Sequence, residues 1–189
     1  MTWAAVQVIT PPAVMALDLP QAKDRLRVDH PDEDAAITAM IRGAVARIEG
    51  PTGIGIALAS QTWRVSYDSF LPCFDLPGWP VTAVASVNYR DPDGVDQTVT
   101  PADYRLDTAR NPARLYPAPG SAWPGTEATP SAVWIDYTLG WTDPAAIPAD
   151  LVDAVALLTA WRYDQREAAV VGTTAAAMPF GVDVILSNY

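Results

Sequence analysis

The sequence predicts an α+β fold with a small helical core. An antiparallel β subdomain is inserted in the chain between the long helices, and an extended C-terminal arm follows the last one. Apolar residues recur every three to four positions near both ends of the chain, but at every second position in between. In addition, 12 of the 18 prolines lie between Pro72 and Pro148, mostly between the predicted strands. Because central strands exclude proline, this spacing favours a small antiparallel sheet with long loops.

The length of 189 residues indicates one domain that can bury a substantial core. We place the helical core, which comprises two long helices and a short N-terminal one, in residues 20–50 and 148–168. The β-rich subdomain is expected in residues 60–140 and the C-terminal arm in residues 170–189, all within a single domain spanning residues 1–189.

The helices are predicted from apolar spacing and from residues typical of helix ends. A short first helix follows Leu19, with Pro20 in its first turn. The second helix begins with Asp32 or Asp34 as its cap and ends at Gly50. Its apolar stripe consists of Ile37, Met40, Ile41, Ala44, Val45 and Ile48.

The last long helix is expected from Pro148 to about Glu167. Its apolar stripe consists of Leu151, Val152, Val155, Leu158 and Trp161. Since each long helix must bury its stripe, the simplest arrangement packs the two against each other.

The middle of the chain alternates between apolar and polar residues, which is typical of half-buried strands. A hairpin is predicted where residues 81–90 meet the turn at residues 91–94, with residues 95–100 as the returning strand. Its first strand is expected to present Val81, Ala83, Ala85, Val87 and Tyr89 on one face. The other predicted strands are residues 61–67, 74–77, 104–106, 113–116 and 133–139.

Apolar and polar residues alternate in the C-terminal arm as well. If the two long helices close the core, the arm can bury little of its apolar surface within its own domain. Such a segment is suited to strand addition or groove binding on another chain. The alternative is that the arm folds back over its own sheet. The predicted binding residues of the arm are Phe180, Val182, Val184, Leu186 and Tyr189.

Composition excludes several classes of function. The chain has 22 acidic and 12 basic residues and a formal net charge of -10, which argues against a general polyanion binder. One cysteine and one histidine rule out an internal disulfide and a multi-histidine metal site. No phosphate-binding loop, targeting segment or membrane span is visible, so we expect a soluble intracellular protein.

No catalytic, cofactor-binding or metal-binding residues are predicted. Cys73 and His30 are the only candidates for a nucleophile with an imidazole base, and Cys73 is expected to be a buried, inert thiol. Paired carboxylates and the seven tryptophans leave one alternative open, a carbohydrate-binding or glycoside-cleaving module.

The ordered set of segments resembles the head–tail connector, or adaptor, proteins of long-tailed bacteriophages and gene transfer agents. The resemblance covers nearly the whole chain, although no single segment is diagnostic. It is carried by residues 22–29, 48–53, 61–63, 76–81, 87–89, 93–94, 104–106, 137–141, 147–151, 166–167 and 179–182.

The resemblance implies a non-enzymatic structural protein without cofactors. Such proteins form a ring of about twelve copies beneath the portal protein, extend the DNA channel and offer a docking surface to the tail. The implied partners are the portal, a tail-side stopper or terminator protein, and further copies of the same chain. Their C-terminal segments engage the portal. The implied location is the head–tail joint of a virion or gene transfer agent particle, assembled in the bacterial cytoplasm, with no membrane contact.

Overall fold

A computed structural model describes residues 5–50, 53–165 and 180–187 and has the predicted mixed α+β fold. Its helices are α1 (Leu19–Leu26), α2 (Asp34–Ile48), α3 (Ala149–Asp164) and α4 (Phe180–Leu186). Its strands are β1 (Ala5–Thr10), β2 (Gln61–Tyr67), β3 (Phe74–Leu76), β4 (Val81–Arg90), β5 (Asp96–Thr98), β6 (Tyr104–Asp107), β7 (Ala113–Pro117) and β8 (Val133–Leu139).

The helical core forms where α2 and α3 pack against each other, as predicted. On α2, the fully buried residues are Ile37, Ile41, Ala44 and Ile48. On α3, burial extends beyond the predicted stripe, because α1 and α4 also pack on this helix. Its buried residues are Leu151, Ala154, Val155, Ala156, Leu158 and Thr159.

The start of α2 differs in detail from the prediction. Neither Asp32 nor Asp34 caps the helix, because Glu33 occupies the cap position without a side-chain cap hydrogen bond. Asp34 is instead the first helical residue, and Lys23 of α1 donates to its carboxylate at 2.6 Å. The Glu33 carboxylate accepts from the Tyr163 hydroxyl at the far end of α3, at 2.5 Å. These contacts join the three helices at the N-terminal end of α2.

The β-rich segment forms two antiparallel sheets, where the sequence predicted a single small one. One sheet has five strands in the order β1-β2-β8-β4-β5, and the other has three in the order β3-β7-β6. All the predicted strands are present. The division into two sheets was missed because alternation shows which residues of a strand face inward, but not which strands pair.

The two sheets face each other and form a sandwich. The inward residues of β2 and β8 are every second residue of each strand, as the alternation predicted. They pack against Phe74, Leu76 and Leu115 of the smaller sheet in one continuous cluster. Tyr67 joins the sheets directly: its ring centroid lies 4.6 Å from that of Phe74, and its hydroxyl donates to the Asp75 carbonyl at 2.8 Å.

The predicted single face of β4 is wrong in its middle. Two irregularities interrupt the pairing of β4 with β8, one between Val81 and Ala83 and one between Val84 and Ser86. Because an extra residue in a bulge shifts the alternation, Ala83 and Ala85 are exposed while Val84 packs against the sandwich core.

Strand β1 was not predicted from the sequence. This strand forms the edge of the five-stranded sheet and pairs antiparallel with β2. The alternation of Val6 and Val8 was the available signal, but a strand so short is stabilised by the partner that it pairs with. Pairing to β2 therefore decides its structure.

The predicted extended arm is wrong for residues 180–186, which form helix α4 packed on α3. Val182 is fully buried in the helical core, and Ile185 and Leu186 pack against the same cluster. Ile185 and Leu186 follow Val182 by three and four residues, so the apolar pattern also fits one face of a helix. Residues 170–179, Asn188 and Tyr189 of the predicted arm lie outside the described residues.

Candidate assembly surfaces

The outer side of α4 carries apolar surface next to α3. Val184 is 47% exposed and Leu157 of α3 is 42% exposed. A Cβ placed on Gly181 would lie 3.9 Å from the Leu157 Cδ1 atom, so the two residues adjoin. Val184 follows Gly181 by three residues and therefore lies on the same side of α4. We call Leu157, Gly181 and Val184 the C-terminal patch.

The structure separates the predicted binding residues of the arm into different environments. Val184 is exposed, whereas Val182 is fully buried and Leu186 is half-buried against the helical core. Phe180 begins α4, but its side chain lies outside the described residues, as does Tyr189. Of the five, Val184 is thus the described side chain that is open to a partner. The sequence did not single out Leu157.

A groove of about 800 Å³ opens at the N-terminal end of α3. Its apolar lining includes Met15, Leu19 and Val152. An ion pair at its rim joins α1 to α3, with the Arg25 guanidinium 2.5 Å from the Asp153 carboxylate. The groove combines residues far apart in the chain, which explains why the sequence alone did not reveal it.

The hairpin of β4 and β5 ends in a polar turn, as predicted. The Asp91 carboxylate accepts hydrogen bonds from the Asp93 and Val95 backbone amides and from the Gln97 side chain. These hydrogen bonds, led by that from Val95, lower the pKa of Asp91. Such bonds explain the acidic residue as a turn device, and no ligand is needed to account for it.

The outer face of the five-stranded sheet carries a polar ladder across its central strands. Arg64 of β2 forms two hydrogen bonds with Asp136 of β8, at 2.6 and 2.8 Å. Ser86 lies 3.5 Å from the same carboxylate, and Asn88 donates to Ser86 at 2.8 Å. Since each charge has a partner, this face is polar but locally balanced.

The sandwich joins the helical core through the segment that follows α2. The Glu49 carboxylate accepts from the Leu58 and Ala59 backbone amides, at 2.8 and 3.1 Å. Burial raises the pKa of Glu49 above 4.5, and the two hydrogen bonds oppose this shift. Nearby, the rings of Trp79 and Trp141 meet edge to face at 5.2 Å and pack against the helical core. The sequence did not predict this junction, because nothing in the apolar pattern pairs Glu49 with residues nine and ten positions later.

The residues considered for nucleophilic catalysis belong to different regions. His30 precedes α2, with its Nδ1 atom 3.7 Å from the Asp32 carboxylate. Cys73 precedes β3 in the sandwich and is half-buried, not fully buried as predicted. Within the described part of the chain, no group of three or more His, Cys, Asp or Glu residues is arranged to hold a metal ion.

Tryptophans serve packing in both regions. Trp63 is 1% exposed and its indole donates to Gln61 at 2.8 Å. Trp123 stacks on Phe70 with ring centroids 4.9 Å apart. Together with the Trp79–Trp141 contact, these contacts account for four of the seven tryptophans by packing and weaken the argument for sugar binding from their number. Among the helices that the structure describes, none has the length and apolar character needed to cross a membrane.

Three solved structures resemble the chain over nearly its whole length. A chain from the virion of a native gene transfer agent particle has a TM-score of 0.78 and 31% identity, covering 97% of this chain and 93% of its own. A chain from the neck of an empty particle, computed with C6 symmetry, has a TM-score of 0.76 and 33% identity, covering 97% of this chain and 94% of its own. A chain from the neck of a native particle, computed with C12 symmetry, has a TM-score of 0.75 and 30% identity, covering 97% of this chain and 93% of its own. No family model and no curated protein matches the sequence.

These matches define the class of protein: a structural component of a gene transfer agent particle. More particularly, the chain belongs to the same family as these gene transfer agent chains. It is at least 30% identical to each of them over more than nine tenths of both aligned chains. The expected resemblance to gene transfer agent proteins is thereby confirmed at the level of the particle and its neck.

Proposed function

We propose that this protein is the adaptor of a head–tail connector. It docks on the portal protein, forms a ring of about twelve copies that extends the DNA channel, and offers the opposite side of the ring to a tail-side stopper or terminator protein. The observation that carries the proposal is the likeness, in fold and sequence, to neck chains of particles computed with C6 and C12 symmetry.

The charge of the chain fits a channel that DNA passes through without being held. Each copy has a formal net charge of -10, and a twelve-membered ring carries about -120 before screening by salt. Duplex DNA is repelled by such a ring. The proposal therefore includes weak affinity for duplex DNA.

The portal contact is assigned to α4. In the folded chain Val182 anchors this helix in the helical core, so the available contact is the C-terminal patch, where Val184 and Leu157 are exposed. Of the five residues predicted from the sequence, Val182 is thus the anchor and Val184 the contact. A ring of copies compensates for a small contact on each of them through avidity.

The proposal is tested by co-sedimentation with the purified cognate portal. The variants are Val184→Asp in the C-terminal patch and, as a matched control, Val95→Asp at the hairpin tip, where the valine is 53% exposed. Point variants are preferable to truncation before α4, since truncation would uncover the part of the core that Val182 fills.

We expect the unmodified chain and Val95→Asp to bind in a ring-like stoichiometry, and Val184→Asp to bind at least tenfold more weakly. Equal binding of all three would retain the adaptor role but move the portal contact away from the C-terminal patch. If the unmodified chain does not bind the portal, the adaptor role is wrong.

A further inference from the structure

The two edges of the five-stranded sheet differ in how well they are protected. The β5 edge is three residues long, exposed along its length and charged, with Asp96 paired to Arg90 at 3.0 Å. The β1 edge is six residues long and contains neither proline nor a charged residue. Val8 and Ile9 on β1 are 41% and 44% exposed.

An edge strand presents unpaired backbone amides and carbonyls, to which another strand can add. Proteins protect such edges by making them short, by charging them, or by adding proline or a bulge. β5 has the first two of these protections. On β1 the single irregularity in pairing lies between Val8 and Thr10, so that Ala5–Val8 remain in regular register with β2. Among the described strands, none lies on the other side of β1.

We infer that β1 is an interface between copies: its free edge pairs with a strand of the neighbouring subunit in the ring. This inference rests on the proposed function, because the ring supplies the partner. The same fold occurs in necks computed with C6 and C12 symmetry, and such symmetry repeats a chain around a central axis. One edge in each copy that is neither short nor charged matches one neighbouring copy.

The symmetry of a ring restricts which strand pairs with β1. A closed ring of more than two copies is built from head-to-tail contacts, in which two different surfaces meet. Pairing of β1 with β1 of another copy would be two-fold symmetric and would end at a dimer. The neighbour therefore contributes a different segment, held mainly by backbone hydrogen bonds, and faces the uncharged side chains of β1.

The first test is hydrogen exchange of the unmodified chain, measured free and assembled on the cognate portal. We expect backbone amides within residues 5–10 to exchange at least tenfold more slowly in the assembled ring than in the free chain. A ring that forms while these amides exchange at the same rate would overturn the inference and leave the adaptor role intact. If no ring forms, the proposed function fails as well.

The second test places lysines on the edge, as natural edge strands do. We expect Val8→Lys combined with Ile9→Lys to fold as a free chain but to reduce the number of copies bound per portal at least twofold. The matched control is Val14→Lys, since Val14 is 43% exposed but lies outside the sheet. Full rings from the lysine variant, or a β1-linked dimer of the unmodified chain, would contradict the inference.

Discussion

The sandwich and the helical core leave different kinds of surface open. The sandwich closes its faces around one cluster that includes Trp63, Ile135 and Tyr137, and its exposed apolar residues lie at an edge and a hairpin tip. The helical core has no comparable edge, but it keeps a groove and the C-terminal patch open. A sheet can bury the side chains of its faces and still have unpaired backbone groups along its edge strands. A helix pairs most of its backbone groups internally, so the surface that it leaves open consists of side chains.

This difference explains why the two proposed contacts are of different types. The portal contact uses side chains on α4, and the contact between copies uses the backbone of β1. Substitutions in each region and at their junction test how separately the two regions behave.

Substitutions in the two cores test whether the regions unfold together. We expect Trp63→Ala in the sandwich to lower the free energy of unfolding by about 3–5 kcal/mol, and Ile41→Ala in α2 by about 2–5 kcal/mol, because both side chains are fully buried. Urea unfolding followed by far-ultraviolet circular dichroism and by tryptophan fluorescence should give coincident transitions for each variant. Transitions that separate would mean that the sandwich and the helical core are independent units.

Glu49 tests the junction between the regions. Glu49→Ala leaves the Leu58 and Ala59 amides without their acceptor, and we expect a loss of about 2 kcal/mol in the free energy of unfolding. Glu49→Gln keeps an acceptor oxygen and serves as the matched control, with a smaller loss. Equal losses in both variants would show that the carboxylate charge, not the hydrogen bonds, stabilises the junction.

The same pair of variants has a pH dependence with a defined sign. Because burial raises the pKa of Glu49 above 4.5, the unfolded chain loses this proton first as the pH rises. The contribution of Glu49 to stability therefore falls as the pH rises from 4.5 through the higher pKa of the folded chain. Urea unfolding across this range should show a smaller fall for Glu49→Gln than for the unmodified chain.

Substitutions in the C-terminal helix α4 are expected to change the free energy of unfolding least. They compare the buried anchor, Val182, with the exposed contact residue, Val184. We expect Val182→Ala to lower the free energy of unfolding by about 1–2 kcal/mol, since its side chain is fully buried. Val184→Ala should change it by less than about 0.5 kcal/mol, because Val184 is exposed. Thermal unfolding of the two variants measures both. Equal effects would mean that α4 does not pack on α3 as described here.

Much of the fold was predictable because local patterns are strong where one face of an element is buried. The spacing of Ile37, Ile41, Ala44 and Ile48 predicted α2, and the alternation from residue 61 to residue 67 predicted β2 with the observed bounds. The candidate site was less predictable. The sequence drew attention to Val184, but it assigned the same role to Val182, which the tertiary structure places in the core.

Local sequence patterns were enough to predict the class of fold, the positions of the long helices and most strands, and the acidic character of the chain. The sequence also showed the resemblance to gene transfer agent proteins, because that resemblance depends on the order of short segments along the chain. The tertiary structure alone decided that the strands divide into two sheets, that β1 forms an edge, that Glu49 ties the two regions together, and that residues 180–186 are helical. Each of these depends on contacts between distant parts of the chain, whereas periodicity records only which face of an element is buried.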